Sequence, residues 1–128
     1  MKYFTIKELC ASSVAEKNDI YNIPDLYAMD NLHELVNNIL DPAREALGEP
    51  IYVNSGYRSK ELNRIIGGVS NSQHRLGEAA DIYCIHMDRL LEILKTFDFD
   101  QLIIYKSKGF YHVSYTTRRR NRNQILYK

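Results

Sequence analysis

The longest regular pattern of apolar positions runs from Asn31 to Leu47, where Leu, Val, Ile and Ala recur at the spacing of one helix face. This periodicity predicts a helix, and Pro42 inside it predicts a kink or a break into two pieces. A second amphipathic helix is predicted over Met87 to Phe97. Near the N-terminus, Thr5 and Glu8 have the spacing of a capping box, which predicts a short first helix.

Short apolar runs bounded by turn residues predict four strands, with a further helix after the first of them. Ser59 can cap this helix, which continues to Ile66 and ends at the glycine pair 67–68. A Lys-Ser-Lys-Gly segment predicts a hairpin connection between the last two strands. The strands are predicted over Ile51–Asn54, Ala80–Ile85, Gln101–Tyr105 and Phe110–Tyr115. Helices before and between strands that end in a hairpin indicate an α+β fold, with a small, mostly antiparallel sheet packed with helices.

Three side chains form a candidate metal site. His74 and Asp81 are separated by a segment rich in small residues, and His112 lies in a different segment. Two imidazoles and one carboxylate are a sufficient set for a catalytic zinc ion, which takes three protein ligands and leaves its fourth position to water. If the strands that carry Asp81 and His112 are neighbours, their side chains can meet on one face of the sheet. A strand histidine considered alone is usually a core or surface residue, so the metal prediction depends on the three residues together.

Several motifs in order resemble those of the M15 peptidase family, which comprises zinc D-alanyl-D-alanine carboxypeptidases and related peptidoglycan endopeptidases, including phage endolysins. They are Ser-Gly-Tyr-Arg-Ser at 55–59, Leu-Asn-x-x-x-Gly-Gly at 62–68, Ser-x-His-x-x-Gly-x-Ala-x-Asp at 72–81 and His-Val-Ser at 112–114. The second of these is typical of the small single-domain branch. The resemblance implies a Hedgehog/DD-peptidase-like domain over residues 1–115. It also implies zinc held by His74, Asp81 and His112, and peptidoglycan stem peptides as substrates.

The resemblance implies two substrate-binding residues as well. Arg58 corresponds to the arginine that binds the carboxylate or carbonyl region of the substrate, and a guanidinium can hold a carboxylate through two parallel hydrogen bonds. Ser72 corresponds to a serine that hydrogen-bonds the substrate. Its hydroxyl can equally cap the loop through local backbone hydrogen bonds, so both roles stay open.

The general base of the family has no counterpart at the usual positions. A zinc peptidase uses a carboxylate near the bound water to take its proton and pass it to the leaving amine. The two family positions for this carboxylate hold Gly109 and Tyr105 here. Glu78 and Asp100 are the nearby substitutes, and Tyr105 could donate a hydrogen bond to a developing oxyanion. We therefore assign catalytic roles to Glu78 and Tyr105 as predictions, and we expect slow turnover.

Composition adds few constraints. The 128 residues are 45% hydrophobic and 26% charged, as in ordinary soluble domains, and the net charge of +1 predicts no general attraction to nucleic acid or membranes. No apolar run reaches the roughly 20 residues that span a bilayer, and no signal-peptide pattern is present. Cys10 and Cys84 are predicted to be buried thiols. We expect a monomer that is made in the cytoplasm and acts on the cell wall after release or delivery, with a phage gene as one possible origin.

Residues 116–128 form a basic C-terminal tail with five Lys and Arg residues. The favoured interpretation is a solvated, mobile terminus, and the alternative is a segment that binds anionic wall polymers or nucleic acid. The missing base also leaves a second function open. The domain could be a non-catalytic zinc-containing module that binds cell wall or a phage structural partner. A metal-stabilised structural domain of a larger assembly is a third hypothesis.

Overall fold

The computed structural model describes all 128 residues, Met1–Lys128. Helices and one five-stranded sheet confirm the predicted α+β class. The α-helices are α1 (Ile6–Cys10), α2 (Ser13–Lys17), α3 (Leu26–Leu35), α4 (Asp41–Leu47), α5 (Lys60–Ile66) and α6 (Met87–Leu94). The strands are β1 (Tyr52–Ser55), β2 (Ala79–Tyr83), β3 (Gln101–Tyr105), β4 (Phe110–Ser114) and β5 (Gln124–Tyr127). Short 3₁₀ turns cover Gln73–Leu76 and Lys106–Lys108, and none of the helices is long and apolar enough to cross a membrane.

The helix predicted over Asn31–Leu47 is a continuous helical stretch with a π-helical segment, Val36–Leu40, between α3 and α4. Its backbone stays in the right-handed helical region on both sides of this segment. Pro42 lacks an N–H group, and its ring would collide with the carbonyl four residues earlier in a regular α-helix. The wider π turn directly before Pro42 relieves this conflict. The predicted kink or break is therefore corrected to a π-bulge.

Local capping signals were reliable, whereas element ends were not. The Thr5 hydroxyl accepts a hydrogen bond from the Glu8 amide at 3.1 Å, which confirms the first helix and its cap. The strand predicted over Ala80–Ile85 ends at Tyr83, and the helix predicted over Met87–Phe97 ends at Leu94. These shifts are small and leave the order of elements unchanged. Shifts of this size are usual at the ends of helices and strands.

The sheet has the strand order β1-β2-β4-β3-β5, with antiparallel pairs except for the parallel pair β3–β5. Alternation along the strands gives the sheet two different faces. Ile82, Leu102 and Val113 point into a core of 20 buried residues, to which α3, α4 and α6 also contribute. Asp81 and His112 lie on the opposite face, directly across from each other in the β2–β4 register. The sheet thus separates a packed core from a polar face.

The C-terminal segment is part of the fold, contrary to the expectation of a solvated tail. Residues 124–127 form β5, which pairs in parallel with β3, and Leu126 lies opposite Ile103. The chain between these two parallel strands includes β4, and residues 115–123 lead from β4 past β3 to β5. The strand is only four residues long and follows an arginine-rich run, so its apolar pattern is weak. Long-range ion pairs hold this segment, and a sequence pattern does not display them.

Candidate metal centre and substrate groove

His74, Asp81 and His112 form a compact group that could hold a metal ion. One ligand atom from each residue lies within 4.8 Å of the others. The Asp81 Oδ1 atom is 3.3 Å from His74 Nε2 and 3.0 Å from His112 Nδ1. His74 and Asp81 are buried and His112 is partly buried. The β2–β4 pairing brings Asp81 and His112 together, and the 3₁₀ turn Gln73–Leu76 places His74 beside them.

A backbone contact fixes the orientation of the His74 ring. The His74 Nδ1–H group donates to the carbonyl oxygen of Gly56 at 2.7 Å, which leaves Nε2 as the lone-pair nitrogen. Gly56 must lack a side chain here because a Cβ atom would overlap the backbone carbonyl of Leu9. The glycine of the Ser-Gly-Tyr-Arg motif thus lets the chain pass close to Leu9 while the Gly56 carbonyl reaches the His74 imidazole.

The electrostatics of the group suit a cation. Burial lowers the pKa of His74 and outweighs the adjacent carboxylate, so the imidazole is neutral at pH 7. Burial alone would raise the pKa of Asp81, but the hydrogen bond with His112 opposes burial and keeps this pKa well below the usual range. An anionic carboxylate oxygen therefore faces a nitrogen lone pair at 3.3 Å. Two acceptors repel each other, and a metal ion between them would bind both the nitrogen and the oxygen.

Arg58 lies beside the metal group and is firmly held. Its Nε atom donates to Ser55 Oγ at 3.0 Å, and one terminal nitrogen donates to Asn63 Oδ1 at 3.3 Å. The other terminal nitrogen is 3.5 Å from Asp81 Oδ2. The side chain is only 13% exposed. A fixed guanidinium beside the metal group is well placed to receive a carboxylate.

The loop that carries His74 is shaped by its first and last residues. The Ser72 hydroxyl accepts a hydrogen bond from the His74 amide at 3.2 Å, so it has the local capping role that the sequence left open. Gly77 ends the 3₁₀ turn with a φ of 76°, in the left-handed region that favours glycine. A Cβ atom at Gly77 would also overlap the backbone of Ala28. The chain can then turn directly into β2 and Asp81.

The polar face of the sheet forms the floor of a groove of about 1020 Å³. Arg58, Ser72 and the three candidate ligands line it, as do Tyr105 and residues of the C-terminal segment. Asp81 is the only acidic residue in this lining. The groove therefore combines a metal-binding group with a largely cationic wall.

Comparisons with known proteins agree with this geometry. The Peptidase M15 family model matches residues 2–114. The chain belongs to the M15 peptidase family. A stretch of 44 residues is also 50% identical to the zinc D-Ala-D-Ala carboxypeptidase of Streptomyces albus G, and it covers 34% of this chain and 17% of that protein. The predicted family is therefore confirmed, and the predicted zinc cofactor is supported by this relative together with the His–Asp–His group.

The two carboxylates considered as substitutes for the M15 general base do not line the groove. Glu78 is fully buried, and its oxygens accept from Arg118 at 2.7 and 2.8 Å and from Thr116 Oγ1 at 2.8 Å. Asp100 is also fully buried and accepts from Arg119 and Arg122 at 2.6 to 3.1 Å. Burial alone would raise the pKa of each carboxyl group, but the arginines outweigh it and lower both values. Such saturated carboxylates are weak proton acceptors.

Tyr105, which the family resemblance placed at a general-base position, does line the groove. Its ring stacks on Phe110 with 4.8 Å between centroids, and Lys108 Nζ lies 5.5 Å from the ring centre. On the same face, the β3–β4 register pairs Ile103 with His112, two residues from Tyr105 on β3. A phenol in this place can donate a hydrogen bond toward the metal group, but phenols are poor proton acceptors at neutral pH.

Two polar side chains that were not predicted from the sequence hold the His74 loop and Arg58 in place. Gln73 donates from Nε2 to Glu78 and to Asp100, both at 3.0 Å, and so ties the His74 loop to the two buried carboxylates. Asn63 is buried, accepts from Arg58 and donates to the carbonyl of Val69 at 2.8 Å. Asn63 belongs to a recognised motif, so its polar side chain within a helix was an available signal. No comparable signal marks Gln73.

Proposed function

We propose that this chain is a zinc-dependent peptidase that cleaves peptidoglycan stem peptides, either by removing a terminal D-Ala or by opening a cross-link. The convergence of His74, Asp81 and His112 at the floor of a groove that also holds Arg58 carries this proposal. Membership of the M15 family and the name of the Streptomyces albus G relative support it.

The donor set fits zinc, which binds imidazole nitrogen and carboxylate oxygen. His74, Asp81 and His112 would hold the ion. When bound there, zinc supplies a Lewis acid and lowers the pKa of bound water toward neutrality. The hydrogen bond to Gly56 keeps His74 in the tautomer that can ligate.

The chain's own side chains would then orient the peptide. The Arg58 guanidinium receives a carboxylate or carbonyl of the substrate, and Ser55 and Asn63 hold it in position for this contact. The Ser72 hydroxyl, at the groove surface, can offer a hydrogen bond in addition to its capping contact. The Tyr105 hydroxyl can donate to the oxyanion that develops on the scissile carbonyl.

The test is direct cleavage by the intact, zinc-loaded chain. A stem pentapeptide ending in D-Ala-D-Ala and a cross-linked muropeptide dimer are incubated separately, and the products are identified by mass spectrometry. We expect slow loss of one D-Ala residue or separation of the dimer, and His74→Ala should abolish both together with most of the bound zinc. Intact substrates after prolonged incubation with zinc-loaded protein would refute the proposal.

Arg58 can be tested separately. Arg58→Lys keeps the charge but loses the planar fork, so the affinity for a peptide with a free terminal carboxylate should fall. Arg64→Lys, at an exposed position on α5, is the matched control and should leave the affinity unchanged. Equal affinities of Arg58→Lys and the unaltered chain would remove Arg58 from the binding site.

A second candidate function is a peptide-binding module without turnover, and the groove's lack of a free carboxylate favours it. Such a module would bind stem peptides with zinc present and leave them intact. An endolysin-like role, with synthesis in the cytoplasm and later delivery to the wall of a phage-infected cell, stays a prediction from the family resemblance. Cleavage in the assay above would decide between enzyme and module.

A further inference from the structure

Positive charge is concentrated in the groove. The chain as a whole has 17 Lys and Arg residues against 16 Asp and Glu residues. Seven cationic residues line the groove, against one carboxylate, which belongs to the candidate metal ligand Asp81. They are Arg58, Arg75, Lys108, Arg118, Arg119, Arg122 and Lys128. Although the chain is nearly neutral overall, a large share of its cationic residues lies around this groove.

The arginines of the C-terminal segment are held in place from beneath. Arg118 makes a two-point contact with buried Glu78, and Arg119 and Arg122 share buried Asp100. The guanidinium side chains nevertheless remain 39%, 39% and 46% exposed at the groove surface. A ligand therefore meets donors that are already oriented, which reduces the entropy lost on binding.

The buried carboxylates do not neutralise this wall. Two carboxylates face three guanidinium groups, and neither Lys108 nor Lys128 has an acidic partner. The Arg75 guanidinium donates a hydrogen bond to the carbonyl of Ser70, and its buried Nε atom has no hydrogen-bond partner. Once Asp81, Glu78 and Asp100 are all counted, four positive charges remain around the groove. This excess positive charge would attract an anionic ligand.

We propose that this cationic wall, which we define as Arg75, Lys108, Arg118, Arg119, Arg122 and Lys128, binds free carboxylates of an acidic peptide. The inference rests on the proposed function and narrows its substrate class. The peptide would carry at least one internal carboxylate in addition to the group that Arg58 receives. The C-terminal segment is then part of the substrate-binding surface.

The floor of the groove favours a peptide over a phosphate polymer. Ile103, Leu126 and the stacked rings of Tyr105 and Phe110 lie among the cations. These apolar groups offer contact area to the methyl and methylene groups of peptide side chains. Planar guanidinium groups match carboxylates in a two-point geometry. A polyphosphate would use the cations but leave this apolar floor without a partner.

The test compares two peptides that differ in one charge. Both are pentapeptides ending in D-Ala-D-Ala with an N-methylated scissile bond that resists cleavage. One has a free internal carboxylate and the other has the corresponding amide. Calorimetric titration of the intact, zinc-loaded chain should give about three- to tenfold weaker binding of the amide, as expected for partly exposed charged hydrogen bonds. Raising the salt concentration should shrink this ratio.

Variants then locate the effect. Lys108→Gln combined with Lys128→Gln removes two cations that have no acidic partner, and it should reduce the ratio between the two peptides. Arg119→Gln should reduce it further, while Arg122 still pairs with Asp100 and keeps that carboxylate satisfied. Arg120→Gln removes a charge from the same segment at an exposed position outside the groove, and the ratio should stay at the unaltered value.

Equal affinity for the two peptides would overturn the inference. Displacement of the free-carboxylate peptide by an oligonucleotide at comparable concentration, without any effect of amidation, would overturn it in favour of a general polyanion site. Cleavage is measured separately with unmethylated peptides. If these stay intact while the affinity ratio persists, the cationic wall is upheld and only the proposed enzymatic function fails.

Discussion

Replacing Glu78 with Gln separates a catalytic role of this carboxylate from a structural one. Glu78 Oε1 accepts from Arg118 and Gln73, and Oε2 accepts from Arg118 and Thr116. A glutamine has one acceptor oxygen, so in either orientation its NH₂ group faces a donor of Arg118. The substitution therefore removes a charge-assisted hydrogen bond and creates a contact between two donors.

The magnitude follows from this contact. Breaking a fully buried ion pair costs about 3–5 kcal/mol, and the cost is smaller here because the side chain of Arg118 is 39% exposed and can reach water. We expect Glu78→Gln to lower the free energy of unfolding by about 2–4 kcal/mol. A domain of ordinary stability stays folded after such a loss. Turnover per folded, zinc-loaded molecule should change by less than about threefold, whereas loss of a general base costs about 10²–10⁴-fold.

The assay is urea unfolding at pH 7 followed by far-ultraviolet circular dichroism, with zinc content and cleavage rate measured on the same preparation. Glu92→Gln is the matched control because Glu92 is an exposed carboxylate on α6, with 76% of its side chain accessible. It should change the free energy of unfolding by less than about 0.5 kcal/mol. An unaltered urea midpoint for Glu78→Gln, combined with a loss of turnover above about 100-fold at normal zinc content, would refute the structural role and restore the base assignment.

Three further outcomes follow from the same contacts. The pKa values of Glu78 and Asp100 are lowered in the folded state. The stability that the two carboxylates contribute is therefore complete above their unfolded pKa values of about 4, and it is lost as the pH falls toward the folded values. Urea titrations between pH 6 and pH 2 should show a falling free energy of unfolding, and a flat profile would contradict the ion pairs. Deletion of residues 116–128 leaves both buried carboxylates without their arginines and should destabilise the chain by at least about 3 kcal/mol, so a truncated chain with an unaltered urea midpoint would show that the segment is dispensable for folding. Tyr105→Glu places a carboxylate at the family base position and should raise the cleavage rate about tenfold or more, and a lower rate at equal zinc content would show that the phenol matters more than a base.

Most of the candidate site could be predicted from the sequence because its chemistry depends on a few residue types in short motifs. His74 and Asp81 stand in one compact motif, and the alternation of the strand put His112 on a definite face. Whether the strands that carry Asp81 and His112 are neighbours was left open by the sequence, and the β2–β4 pairing is seen only in the structure. Gly56 and Gly77 were visible as small residues, but the backbone atoms that exclude a Cβ there belong to distant segments.

The C-terminal segment could not be read in the same way. Its arginines have the pattern of a solvated terminus, and only the fold shows that Glu78 and Asp100 lie beneath them. Periodicity reports which residues avoid water, whereas a buried ion pair depends on partners roughly 20 to 40 positions away along the chain. For the same reason, Glu78 looked like a free carboxylate next to the metal motif. In the structure, the Glu78 carboxylate is instead paired with Arg118.

The cationic wall and the missing base are physically connected. Glu78 and Asp100, the nearby substitutes for the base, instead hold Arg118, Arg119 and Arg122 at the groove. Nearby positive charge favours the anionic form of any group that titrates there, including hydroxide formed from water. Under the proposed function, the cations would offset part of the lost proton acceptor and would also attract a carboxylated peptide. A rate that depends on groove charge rather than on one carboxylate should fall as salt screens these cations, even when the peptide is saturating.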